Sequence, residues 1–181
     1  GKKTLGDALH AVVVPAVDVS RSVTQVFKTP HAPGSLGDES LNVVDVTLAT
    51  CAAPAFFPCV QVGSTLYADG GLFAVAPDQV ALHEAEHFMG AKPSKVRMLS
   101  VGTAPMGYQP ADSVEADAGA VGWLTAGRLI LTMISVQQQH VQAIMADRLE
   151  DRYLRLDAPW PVQAGLGIDI ATKAAAKTLT G

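Results

Sequence analysis

Apolar and polar positions fall in blocks along the 181 residues, and the period changes from block to block. Residues 11–17, "AVVVPAV", are continuously apolar, the pattern of a strand buried on both faces. From Val23 the chain alternates apolar and polar, which predicts a second strand over 24–29. Residues 30–40, "PHAPGSLGDES", are a loop by their Pro, Gly and Ser content. Helical spacing returns after Ser40, a fitting N-cap, and Pro54 stops it. "STLYADGG" then predicts a short strand over 65–69, ended by two glycines. Pro77 and Asp78 open a helix that Gly90 closes. Residues 96–101 and 152–157 predict two more strands around a long helical region, 119–149, and residues 167–181 predict a last helix. Strands alternating with helices, several of them uniformly apolar, predict a three-layer α/β/α architecture with a mainly parallel sheet.

Composition narrows the function classes. At 49% hydrophobic and 17% charged residues the chain is globular, with length enough for one domain and a sizeable core. A formal charge of −4 and the lack of any basic run argue against nucleic acid as a partner. Cys51 and Cys59 lie eight residues apart with no Cys-x-x-Cys pair, which predicts reduced, semi-buried, non-catalytic thiols and a cytoplasmic setting. The stretch "AVGWLTAGRLILTMISV" (120–136) carries Arg128 and reads as a buried helix rather than a membrane span.

One short motif suggests metal chemistry. In "HEAEH", His83 and His87 stand at i and i+4 with Glu84 between them, the spacing by which zinc peptidases hold their metal and place a general base. At about 100° per residue, however, Ala81, Leu82, Ala85, Phe88 and Met89 share one arc. His83, Glu84, Glu86 and His87 fall opposite, which predicts a solvated face and no bound metal. His10, His31 and His140 are isolated and carry no specific expectation.

The richer segment is residues 49–85. Ala49, Thr50, Ala52, Ala53, Pro54, Phe57 and Pro58 match a run of the type Ala-Thr-Ser-Ala-Ala-Pro-x-x-Phe-Pro, with Cys51 in the serine's place, and Asp69-Gly70-Gly71 follows. "TLGDAL" with "VVVPAVDV" upstream, and "VRMLSVGTA" and "DRYLRLD" downstream, agree as well. On these residues the chain resembles the patatin-like phospholipase family over nearly its whole length. The resemblance implies a patatin-like fold and lipid acyl hydrolysis of the phospholipase A type by a Ser–Asp dyad. Asp69 would be the catalytic aspartate and Gly70 and Gly71 its turn. It implies no cofactor, a lipid or acyl-ester substrate, and transient contact with a membrane surface. Physical reasoning agrees, since a carboxylate at the C-terminal end of a strand lies where open α/β sheets bind ligands. Glycines directly after it let the backbone turn sharply and approach a neighbour closely.

Two departures qualify the match. Val75 and Ala76 stand where the family often has asparagine before the proline, and losing such a cap costs about 1 kcal/mol, so a looser helix start is expected at Pro77. Residues 1–181 also contain no Gly-x-Ser-x-Gly turn, and Gly70-Gly71 is the one adjacent glycine pair. The expectation is therefore the C-terminal portion of one catalytic domain, incomplete in this chain and inactive alone. The nucleophile would come from an N-terminal part of the same domain. The competing readings are a zinc peptidase using His83, Glu84 and His87, and a non-catalytic scaffold or regulatory fragment of the same fold.

Overall fold

The computed structural model describes residues 1–31, 37–54, 56–103, 119–124, 128–158 and 172–180. Strand β1 (Val13–Asp18) folds back on β2 (Val23–Lys28) through a short turn in which Ser22 takes a positive φ of 56°. Fully buried Asp18 holds that turn, with Oδ1 accepting from the Arg21 N–H at 3.0 Å and Oδ2 from Arg21 Nε at 2.7 Å. On its other edge β1 pairs with β4 (Thr65–Asp69), which pairs in turn with β3 (Val60–Val62), giving the order β2-β1-β4-β3. A second, two-stranded sheet joins β5 (Met98–Val101) to β6 (Tyr153–Leu156).

The fold is mixed α/β, as expected, but the mainly parallel sheet is not what forms. Among the described strands, β1–β2, β1–β4 and β3–β4 are antiparallel and β5–β6 is parallel. The reason is connection length. Parallel neighbours need a crossover of about a dozen residues or more, whereas β1–β2 and β3–β4 are joined by tight turns, the latter with Gly63 at φ 61°. A continuous apolar run cannot tell these cases apart. β3 is too short to show a period, and the pattern along the chain does not predict it.

Helix α1 (Val43–Thr50) begins two residues later than expected. Its N-cap is Asn42, whose Oδ1 accepts from the Val44 N–H at 2.8 Å, while Ser40 ends a 3-10 turn, Asp38–Ser40. Val46 and Ala49 of α1 pack with Leu5, Ala16, Phe27 and Tyr67 to form the first core. A second core joins Ala76, Leu82 of α2 (Asp78–His83), and Val141, Met145 and Leu149 of α4 (Arg128–Leu149), with Met98 and Tyr153 packed against it. The long helical region is thus α3 (Ala120–Leu124) followed by α4; residues 125–127 lie outside the described ones. The last predicted helix is described as α5 (Lys173–Thr180), and its expected start at residues 167–171 also lies outside.

The expected burial of 120–136 fails. Val121 is 81% exposed, Leu124 68% and Val136 58%, because α4 enters the core through its C-terminal half only.

The HEAEH segment also departs from the helical wheel. α2 passes into a π-helical turn, Glu84–Phe88, whose wider period rotates the side chains away from a 3.6-residue pattern. Glu84 is consequently buried, not solvated. Its Oε1 takes the ammonium of Lys28 from the end of β2, and its Oε2 lies 3.3 Å from His31 Nε2. Thr29 Oγ1 is 2.6 Å from His31 Nδ1, and Lys28 Nζ stands 4.1 Å from the Phe88 ring centre. His31 is therefore a member of a buried network that ties α2 to the first sheet.

Removing one partner from such a buried pair leaves the other desolvated and alone. Glu84→Ala should lower unfolding free energy by about 3 kcal/mol in denaturant titration. Lys28→Met combined with Glu84→Leu should recover most of that loss, and failure to recover would mean that packing, not charge, is at stake.

Candidate active site

Asp69 is the last residue of β4, opposite Ala16 of β1. Its backbone N–H donates to the Ala52 carbonyl at 3.0 Å, so the segment after α1 fixes the strand end. Its Oδ1 accepts from the Gly71 N–H at 2.6 Å, which caps the 3-10 turn Gly70–Leu72. Among the described residues no other hydrogen bond reaches the carboxylate. Partial burial pushes the Asp69 carboxyl above the ordinary aspartate range, and the Gly71 N–H only partly offsets this. A fixed carboxylate with one oxygen uncommitted and a raised proton affinity can accept a proton from a hydroxyl brought to it.

The neighbouring motif residues explain themselves by contact. A Cβ at Gly70 would meet the Pro15 carbonyl inside the 3.0 Å that real Cβ atoms respect. That carbonyl also accepts from Thr50 Oγ1 at 2.6 Å. Thr50 and Ala52 thus lock the run 49–54 onto β1 and β4, and Ala52 is buried to make room. At Gly71 a Cβ would press on Asp69 Oδ1 at 3.0 Å, so a side chain there would disturb the carboxylate itself.

A cleft of about 630 Å³ opens in front of Asp69, within the roughly 300–1,000 Å³ typical of ligand sites. Phe56, Phe57, Leu72, Ile130, Met133 and Ile134 contribute to its walls, and Asp69 is the one charged side chain among the described lining residues. Cys51 lines the cleft too; it and Cys59 are free and exposed rather than semi-buried.

The zinc residues do not come together with this cleft. His83 and His87 are exposed and stack on each other at 5.2 Å between ring centres, while the Glu84 carboxylate faces Lys28 and His31. Among the described residues no three His, Cys, Asp or Glu side chains gather in a group that could hold a metal.

A second polar cluster escaped the reading of the sequence. Asp78, at the first turn of α2, accepts from Ser100 Oγ at 2.9 Å and from the Tyr153 hydroxyl at 2.7 Å. Arg155 reaches Ser100 Oγ at 2.8 Å and Asp157 at 2.6 Å. Pro77 makes no side-chain cap, as expected, but Asp78 ties the helix start to both parallel strands, so the start is not loose. A Cβ at Gly102 would displace the Asp157 carboxylate from its present position. The Ser-Val-Gly and Tyr-Leu-Arg-Leu-Asp stretches are thus read together as one structural network. Its signal in the sequence was Tyr153, Arg155 and Asp157 at alternate positions, with Ser100 the one polar residue of β5.

Comparison with known proteins points one way. Residues 2–82 match the family described as patatin-like phospholipase. The chain is 39% identical over 155 residues to a cGAMP-activated phospholipase of Pseudomonas aeruginosa, covering 85% of this chain and 46% of that protein. It is 33% identical over 184 residues to a protein of the same name from Vibrio cholerae, covering 93% and 52%. A third, from Escherichia coli, is 31% identical over 183 residues, covering 92% and 51%. The chain therefore spans about half the length of these relatives.

The contact between Gly70 and Pro15 leaves no space for a methyl group. Gly70→Ala should destabilise the fold by about 1–3 kcal/mol, the usual range for overpacking. Gly63→Ala, strained in φ but with open space around it, should lose about 1 kcal/mol. Thermal melts of both variants rank them, and equal losses would mean that the β1 contact is not limiting.

Proposed function

This chain belongs to the patatin-like phospholipase family, and we propose that it forms part of an enzyme that hydrolyses lipid carboxylic esters, with Asp69 as the proton acceptor of a Ser–Asp dyad. The observation that carries this reading is Asp69 itself, pinned at the end of β4 and facing an apolar cleft with an oxygen uncommitted. In the acylation step the serine oxygen attacks the ester carbonyl as its proton passes to Asp69. The leaving alcohol then takes that proton. Water repeats the sequence on the acyl-enzyme, and Asp69 is again the acceptor.

The serine lies outside residues 1–181 in this reading, on a Gly-x-Ser-x-Gly turn supplied by another segment of the same domain. The parallel pair supports that arrangement. Leu99, Val101, Leu154 and Leu156 all point to the face of β5–β6 away from the second core, and each is at least half exposed. Parallel strands are ordinarily covered on both faces, and a docked segment would supply the cover. The relatives named cGAMP-activated support a further part of the reading, that cGAMP raises this enzyme's activity. Reversible contact with a membrane surface follows from a lipid substrate; among the described residues no helix is long and apolar enough to cross a membrane.

Asp69→Asn in the full-length protein, assayed with cGAMP on a water-soluble short-chain ester, should lose about a hundredfold or more in rate. The wild-type rate should rise with pH through a midpoint above the ordinary aspartate value, since the carboxylate is the active form and its proton is held more tightly. Stability moves the opposite way. The folded state binds this proton better than the unfolded state, so the group's contribution falls as pH rises from the ordinary value through the raised one. A serine-directed fluorophosphonate should label the full-length protein outside 1–181. Wild-type turnover in a folded Asn variant would overturn the dyad.

A further inference from the structure

The far wall of the cleft is α4, and its contribution is ordered. Ile130, Met133, Ile134 and Gln137 follow at i, i+3, i+4 and i+7, so they form one face of the helix, and all four line the cavity. Gln137 donates from Nε2 to the Leu72 carbonyl at 3.2 Å, which fixes this end of the face to the turn that carries Asp69. Its Oε1 is buried with no hydrogen-bond partner among the described residues. From Gln137 to Ile130 the face runs about 10 Å at 1.5 Å per residue, and every side chain on it after Gln137 is apolar.

Resting on the esterase reading above, we infer that this face of α4 is the binding wall for the substrate's acyl chain. The ester lies at the Gln137 end, next to Asp69, and the chain runs along Ile134 and Met133 to Ile130. The polarity gradient fixes the direction. The one charged group and the orphaned amide oxygen of the described lining belong to one end, where an ester has polar atoms, and the α4 face beyond Gln137 offers only dispersion and desolvation to a methylene chain. Phe56 and Phe57 also line the cleft, and both are substantially exposed.

The wall makes acyl-chain length, not bond cleavage, the quantity that α4 substitutions change. In the full-length protein Ile134→Trp and Met133→Trp should lower the ratio of kcat/KM on palmitoyl to butyryl para-nitrophenyl esters by at least about tenfold. Val136→Trp, on the exposed side of the same helix and outside the cavity, should leave that ratio within about twofold. If the tryptophan variants fail to fold, Ile134→Ala decides, with an expected several-fold rise in KM for the palmitoyl ester alone. A readout independent of catalysis is the binding of a fluorescent polyene fatty acid, which Ile134→Trp should weaken about tenfold and Val136→Trp should leave within about twofold. Unchanged chain-length ratios and unchanged fatty-acid binding would overturn the wall and leave the dyad standing. Wild-type turnover in a folded Asp69→Asn variant, with fatty-acid binding still sensitive to Ile134, would do the reverse.

Discussion

The carbonyl of Pro15 is where the first sheet, α1 and the Asp69 turn meet. Proline supplies no N–H to a ladder and is unusual in a central strand. Here its position makes sense, because β4 pairs with β1 only over Ala16, Val17 and Asp18. Pro15 falls one residue past the end of that ladder, opposite the point where β4 stops and the chain turns at Gly70. Its carbonyl accepts the Thr50 hydroxyl and lies against Gly70 with no room for a side chain. Asp69 is thus held between a strand that cannot extend further and a turn that cannot carry a Cβ. The precision of the carboxylate comes from this steric stop more than from its single hydrogen bond to Gly71.

That arrangement also explains why the close contacts around the candidate site were legible in the sequence while the sheet was not. Asp69, Gly70, Thr50 and Ala52 are local residues in contact, and their identities are dictated by close approach, so the motif 49–71 carries its own geometry. Strand direction is different. The run at 13–17 is equally apolar whether its neighbours are parallel or antiparallel; the short turn decides its pairing with β2, and nothing local decides its pairing with the distant β4. The α/β class followed from the alternation of element types, and the pairing did not.

The HEAEH segment marks a different limit. A wheel at a fixed angle assumes a regular helix, and the π turn at Glu84–Phe88 breaks that assumption at the residue that matters. Glu84 then becomes the buried partner of Lys28 and His31, whose positions 53 to 56 residues earlier in the chain give no hint of the contact. A pattern of polar residues predicts solvent exposure only when no cation from another element can enter the core with them. Lys28 can, because its ammonium stands over the face of the Phe88 ring while it meets the carboxylate.

Helix α4 finally shows how one element serves two environments. Its C-terminal half is core, with Val141, Met145 and Leu149 buried, while its N-terminal half faces the cleft and solvent. The change falls at two successive glutamines that bond in different directions. Gln137 reaches the Leu72 carbonyl beside the Asp69 turn, and Gln138 reaches Asp157 at 3.3 Å, within the Asp78–Ser100–Arg155 network. A mean apolar character over 120–136 hides this division, which is why burial was expected there. A helix transmits position along its axis with little bending over a few turns. The distance between the cleft wall and Asp69 is therefore set from both sides, by the stop at Pro15 on the first sheet and by the polar network that anchors α4 to the parallel pair.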